Sequence, residues 1–195
     1  MACLYGCGGN LMLDGTNVFL IGMMGAGKST VGKFLAQRLQ YHFFDTDDLV
    51  ERSTGRRIPE IFANAGEAAF REIEHQVLAE VSAYTRLVVA TGGGIVLSQM
   101  NWSYLRHGIV VWLDVPVDVL HQRLSQSDVK RPLLNAPDPK AVLTEIYTKR
   151  RDRYAQADIH LAVTAIDQPQ TVCDRLIALM GEAIEPDRLK RPKTT

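Results

Sequence analysis

The stretch Gly22-Met-Met-Gly25-Ala-Gly27-Lys28-Ser29-Thr30 follows the apolar run Asn17-Val-Phe-Leu-Ile21 and precedes a helical pattern. It fits G-x-x-x-x-G-K-S/T in the strand–loop–helix setting that gives such a match its meaning. Glycines let the loop wrap so that successive backbone N–H groups face phosphate oxygens. The N-terminus of the following helix adds partial positive charge at the same point. Lys28 is placed to reach the β- and γ-phosphates, and the Ser29 hydroxyl to hold Mg²⁺. The bland alternative is a glycine-rich turn carrying an exposed lysine, and Lys-Ser at the right offset argues against it. The stretch indicates a nucleoside triphosphate and leaves the reaction open.

The 195 residues, 46% hydrophobic, are enough for one domain with a substantial core. Twenty-two basic residues balance 22 acidic ones, so no net field favours nucleic acid or an anionic membrane. An anionic ligand must therefore be held by a local cluster. No apolar run approaches the roughly 18 residues that span a bilayer. Met1 to Gly15 lacks the pattern of a secretory signal. Cys3, Cys7 and Cys173 are scattered, which suits a reducing cytoplasm. Cys3 and Cys7 resemble half of a metal site, but no second pair of ligands accompanies them.

Strand-like runs fall at Asn17–Ile21, Leu87–Ala90, Ile109–Leu113 and Ile159–Val163, with a shorter one at His42–Phe44. Several are nearly continuous Val, Ile and Leu, the mark of strands covered on both faces. Helical periodicity runs over Lys28–Leu39 and Glu67–Tyr84, and a helix is expected over Asp48–Ser53. Pro116 and Pro169 stand where first helical turns begin. The alternation predicts an α/β fold with ligands at the carboxyl ends of parallel strands. Ser125–Pro139, with Pro132, Pro137 and Pro139, reads as a long loop of the kind that forms lids. Residues 1–15 read as an extension, 16–184 as the domain, and 185–195 as a disordered tail.

Asp45-Thr-Asp47-Asp48 follows Phe43-Phe44 at the carboxyl end of the second strand. If the strand continues, alternation brings the Asp45 and Asp47 carboxylates to one ligand. One can support Mg²⁺, directly or through water, and the other can accept a hydrogen bond from a substrate hydroxyl. The competing reading makes Asp47 or Asp48 a helix N-cap. Thr91-Gly92-Gly93-Gly94 closes the third strand, where three glycines are costly unless a ligand approaches the backbone closely. Arg71 and Glu74 are three apart on a helix, which as an exposed ion pair is worth a few tenths of a kcal/mol. Arg150, Arg151 and Arg153 crowd a helical segment ending at Tyr154, either as a solvated basic face or as guanidinium grips for a carboxylate. Arg131 lies in the proline-rich loop, from which it could swing in to neutralise charge on a transferred phosphoryl group.

Together these residues resemble the shikimate kinase family. The resemblance runs from about Val18 to about Leu179 and rests on six ordered motifs: Gly22 to Thr30, Asp45-Thr-Asp47, Ile61-Phe62 with Gly66-Glu67 and Phe70-Arg71-x-x-Glu74, Thr91 to Gly94, Arg131-Pro-Leu-Leu134, and Arg150 four residues before Tyr154. It implies a P-loop fold with a five-stranded parallel sheet of order 2-3-1-4-5, flanking helices and a mobile lid at about 125–139. It implies ATP-dependent phosphorylation of the shikimate 3-hydroxyl by a cytoplasmic monomer with one Mg²⁺ and no nucleic-acid or membrane partner.

The resemblance also distributes roles. Gly25, Ala26, Gly27, Lys28, Ser29, Thr30 and Arg131 bind ATP. Ser29 ligates the metal and Asp45 supports it through water. Asp47 binds the ring hydroxyls and orients or deprotonates the attacking one. Arg71 and Arg150 clamp the carboxylate beside Gly92, Gly93 and Gly94, and Lys28 and Arg131 stabilise the phosphoryl group in transit. Arg150 is preferred over Arg151 and Arg153 for its offset from Tyr154. Arg123 and Gln168-Pro169 are candidates for the adenine side. A gluconate kinase could use a similar clamp, but Asp45-x-Asp47, Phe70-Arg71-x-x-Glu74 and Thr91 to Gly94 argue against it. A catalytically silent nucleotide binder is disfavoured because Lys28, Ser29, Asp45 and Asp47 are all present.

Overall fold

A computed structural model describes residues 13–126 and 136–183. Five strands, β1 (Val18–Ile21), β2 (His42–Asp45), β3 (Leu87–Ala90), β4 (Ile109–Asp114) and β5 (Ile159–Ala162), form one parallel sheet of order β2-β3-β1-β4-β5. This is the order that the family resemblance implies. Val18 pairs with Val88 on one side and Ile109 on the other, which makes β1 the central strand. Every residue of β1 and β3 is buried, as their unbroken apolar runs require. At the edges β2 is partly exposed and β5 alternates buried with exposed.

Among the described residues seven α-helices accompany the strands: α1 (Lys28–Leu39), α2 (Thr46–Thr54), α3 (Ile58–Ser82), α4 (Gln99–Leu105), α5 (Val117–Ser125), α6 (Pro139–Tyr154) and α7 (Pro169–Ala183). Among their mutual contacts α1 packs on α7, α2 and α4 on α3, and α5 on α6. The largest fully buried side chains include Trp102, Tyr154 and Phe19. Leu13 is also buried, so packing begins inside the segment read as an extension. Residues 1–12, with Cys3 and Cys7, residues 127–135, with Arg131 and most of the stretch read as a lid at about 125–139, and residues 184–195 lie outside the described residues.

Several boundaries differ from expectation for local reasons. β2 includes Asp45, and α2 starts at once at Thr46 rather than at Asp48. The N-cap is Asp45, not Asp47 or Asp48: its Oδ1 accepts from Asp47 N at 3.0 Å. Such a cap stabilises a helix by about 1 kcal/mol. The strand therefore does not continue to Asp47, and alternation is not what brings the two carboxylates together. α3 begins at Ile58 instead of Glu67, and Gly66 (φ 81°, ψ 174°) breaks it into two helical segments. Pro59 at the first turn and Glu60, whose Oε2 accepts from Arg57 N, start the first segment. Pro139 opens α6 rather than belonging to the loop, and Asp138 caps it through Ala141 N. Pro116 is the residue before α5, while Pro169 begins α7.

Candidate active site

The carboxyl ends of β1, β2 and β3 open into a cleft of about 1190 Å³ lined by residues of the phosphate loop, α2, α3, the Gly92–Gly94 segment and α6. That volume lies just above the range of an ordinary small-molecule pocket.

The donor end is the loop between β1 and α1. Gly25 and Gly27 sit at φ 79° and 90°, a region that a side chain enters only with strain, and Gly27 is the residue preceding α1. Lys28 is 9% exposed and its Nζ donates to the carbonyls of Gly22 (2.9 Å) and Met23 (2.8 Å). The loop thus holds its own cation at the edge of the cavity. Gly25, Ala26, Gly27, Ser29 and Thr30 line the same cavity. Ser29 Oγ donates to Asp45 Oδ2 at 2.5 Å. Two hard oxygens from different elements meet there. Among the described residues no group of three or more His, Cys, Asp or Glu could enclose a metal. This donor set fits a cation that keeps waters and takes further ligands from phosphates, as Mg²⁺ does.

The acceptor end is built on the Thr91–Gly94 segment. Thr91 is anchored to β1, its Oγ1 donating to Leu20 O at 3.0 Å, and Gly92 N donates to the buried Thr46 Oγ1 at 2.9 Å. A Cβ on Gly92 would collide with Glu74 Oε1 and stand 3.0 Å from Asp47 Oδ1; one on Gly94 would collide with the Arg71 guanidinium. The close approach here is to the ends of the Glu74 and Arg71 side chains, and neither glycine has a positive φ, so a Cβ at either position would have to displace those groups. Asp47, although on α2, faces the same segment.

Arg71 and Glu74 are not the exposed pair that their spacing allows. Glu74 is 1% exposed, and its Oε2 accepts from Arg71 Nη1 at 2.7 Å. Glu67 Oε1 takes Arg71 Nη2 at 3.0 Å, and the guanidinium lies 5.1 Å from the Phe70 ring centre. Burial opposes the charge on Arg71, yet Glu74 and then Glu67 outweigh it and raise its pKa. Burial likewise pushes the Glu74 carboxyl above its ordinary range, against the pull of Arg71. Glu74 Oε1 has no hydrogen-bond partner among the described residues. The sequence motif contains Glu74 but carries no sign of its burial.

Arg150 is 7% exposed, whereas Arg151 and Arg153 face solvent, so a uniformly solvated basic face is not what α6 presents. Arg150 Nη1 donates to Gly93 O at 3.0 Å, and the buried Tyr154 hydroxyl donates to the same oxygen at 2.6 Å. Tyr154 is absent from the residues singled out as functional; only its spacing from Arg150 pointed to it. On the other flank, Arg123 Nη1 lies 3.4 Å from Gly25 O. Arg123, Asp167 and Pro169 line the cleft, while Gln168 starts α7 through its carbonyl, which accepts from Val172 N.

The chain as a whole is similar to proteins of known family. A family model described as "Shikimate kinase" matches residues 24–181. A shikimate kinase from Thermosynechococcus vestitus is 57% identical over 89% of this chain and 94% of its own length. One from Microcystis aeruginosa is 51% identical over 89% and 90%. Among solved structures, shikimate kinase from Acinetobacter baumannii in complex with shikimate superposes with a TM-score of 0.79 at 38% identity, covering 90% of this chain and 96% of that one. A gluconokinase from Sinorhizobium meliloti, 16% identical with a TM-score of 0.55 over 91% and 98% of the two chains, shares the fold alone.

Proposed function

Because the chain belongs to the shikimate kinase family, we propose that its cleft transfers the γ-phosphoryl group of ATP to the 3-hydroxyl of shikimate. The observation that carries this reading is the convergence of Arg71 and Arg150 on the Gly92–Gly94 segment, in the cleft that also holds Lys28. Two guanidiniums at one end suit a carboxylate, and a lysine within a loop of backbone donors suits phosphates.

Asp47 orients the acceptor hydroxyl and takes its proton as the oxygen attacks the γ-phosphorus. The bond to the β–γ bridging oxygen breaks, and that oxygen leaves on ADP. Lys28 follows the charge on the phosphates, with Arg131 in the same role from the lid at about 125–139. Gly25 to Thr30 hold the triphosphate, and Gly92, Gly93 and Gly94 form the wall on which shikimate lies. Ser29, with Asp45 through water, would hold one Mg²⁺, which neutralises the β- and γ-phosphates when bound. The kinase unit on this reading is 16–184, acting as a cytoplasmic monomer on small molecules. Among the described residues no helix is long and apolar enough to cross a membrane.

A coupled assay with ATP, Mg²⁺ and shikimate tests the reading, with gluconate as the control acceptor. ADP release that requires shikimate, with shikimate 3-phosphate as product, is the expected result. Folded protein that turns over gluconate but not shikimate would disprove it.

A further inference from the structure

The Tyr154 hydroxyl takes no part in the steps above, yet Tyr154 is fully buried behind Gly93, which lines the cleft. It donates to Gly93 O at 2.6 Å, and Arg150 Nη1 donates to the same atom at 3.0 Å. A carbonyl oxygen has two lone pairs, so this one is saturated. The Tyr154 ring stacks with Trp112, centres 5.8 Å apart, and its oxygen lies 3.7 Å from Met23 Sδ. Burial raises the Tyr154 pKa, so the hydroxyl keeps its proton at neutral pH. The Gly93 backbone in turn abuts the phosphate loop: a Cβ there would stand 3.4 Å from Gly22 O and Met24 N.

An arginine bonded to a carbonyl must share or release that bond when a carboxylate arrives. If it were the sole donor, its departure would leave a partly buried carbonyl oxygen without a hydrogen bond, which is unfavourable. We infer that Tyr154 is a positioning residue for acceptor capture: its hydroxyl keeps the Gly93 carbonyl satisfied while the Arg150 guanidinium turns from that carbonyl to the acceptor's carboxylate. The inference rests on the carboxylate role proposed for Arg150. With Tyr154 present, the Gly93 peptide stays seated on the phosphate loop throughout. Without the hydroxyl, Gly93 O competes with the substrate for Arg150.

Tyr154→Phe removes the hydroxyl and keeps the ring on Trp112. The measurement is kcat/KM at saturating ATP for shikimate and for its methyl ester, which has no carboxylate charge to draw Arg150 away. The expected loss is about tenfold for the acid, equivalent to about 1.4 kcal/mol, with a ratio close to one for the ester and unchanged nucleotide affinity. Equal losses for acid and ester, or a parallel loss of nucleotide affinity, would make Tyr154 a packing residue only and overturn the inference. No loss for the acid overturns it too. Should the Phe variant fold poorly, 4-fluorophenylalanine at position 154 preserves size without a donor and gives the same comparison. A wild-type protein inert toward shikimate overturns the proposed function and this role with it. An active wild type with an unaffected variant overturns this role alone.

Discussion

Glu74 is a buried carboxylate facing one guanidinium, and that imbalance has measurable effects. Its pKa is raised above the ordinary 4.5, chiefly by burial. Over a window extending upward from that value, the folded state keeps a proton that the unfolded chain has released. Stability from this group is therefore complete below the unfolded value and is lost as pH rises through the folded one. Glu74→Gln removes that slope, so its Tm relative to wild type should climb as pH rises above the ordinary value of 4.5 while shikimate turnover falls. Thermal melts across pH check the first part and steady-state kinetics the second. Arg71→Met keeps an unbranched apolar stem and deletes the guanidinium that lies over Phe70. Losing a charge-assisted bond worth about 1.5–3 kcal/mol should raise KM for shikimate about 10- to 100-fold. Nucleotide affinity, measured by titration, should hold; its collapse would refute the role given to Arg71. Sequence spacing alone made Arg71 and Glu74 neighbours on a helix. Whether that face is wet or buried depends on Thr91–Gly94, a segment remote in sequence, so the depth of the pair could not be read from it.

Two glycines show how elements differ in what they demand. Gly66, at φ 81° between the two segments of α3, has open space where a Cβ would go. Gly66→Ala should therefore cost about 1 kcal/mol of stability through backbone strain and leave kinetics nearly intact. Gly92 lacks a positive φ, but a Cβ there meets Glu74 and Asp47. Gly92→Ala should cost about 1–3 kcal/mol in strain and cut kcat/KM for shikimate far more than any drop in Tm suggests. Parallel melts and kinetics on the two variants decide this. Elements with one strong period, such as α1, were legible to the residue. The start of α2 was not, because Asp45 ends a strand and caps a helix at once. Nor was the first segment of α3, whose short run before Gly66 offers too few turns for periodicity to register.

At the scale of the molecule, the parallel sheet was legible because β1 and β3 are uninterrupted apolar runs, whereas the strand order came only with the family resemblance. The pairing of Arg150 with Gly93 was not legible, since it depends on how α6 returns to the sheet. The two ends of the cleft should stabilise the fold separately. Either substrate at about a hundredfold excess over its Kd adds about 2.7 kcal/mol. Lys28→Met should lose the rise in Tm given by nucleotide and keep the one given by shikimate, as thermal-shift titrations will report. A loss of both rises would mean that the two ends are not independent. The central position of β1 also has a consequence in time. Its neighbours are supplied first by Leu87–Ala90 and only later by Ile109–Asp114, and Arg150 and Tyr154 follow both. As the chain leaves the ribosome, the phosphate-loop sequence emerges long before anything can hold it in shape. Through most of its synthesis the polypeptide carries the signature of a kinase without being one.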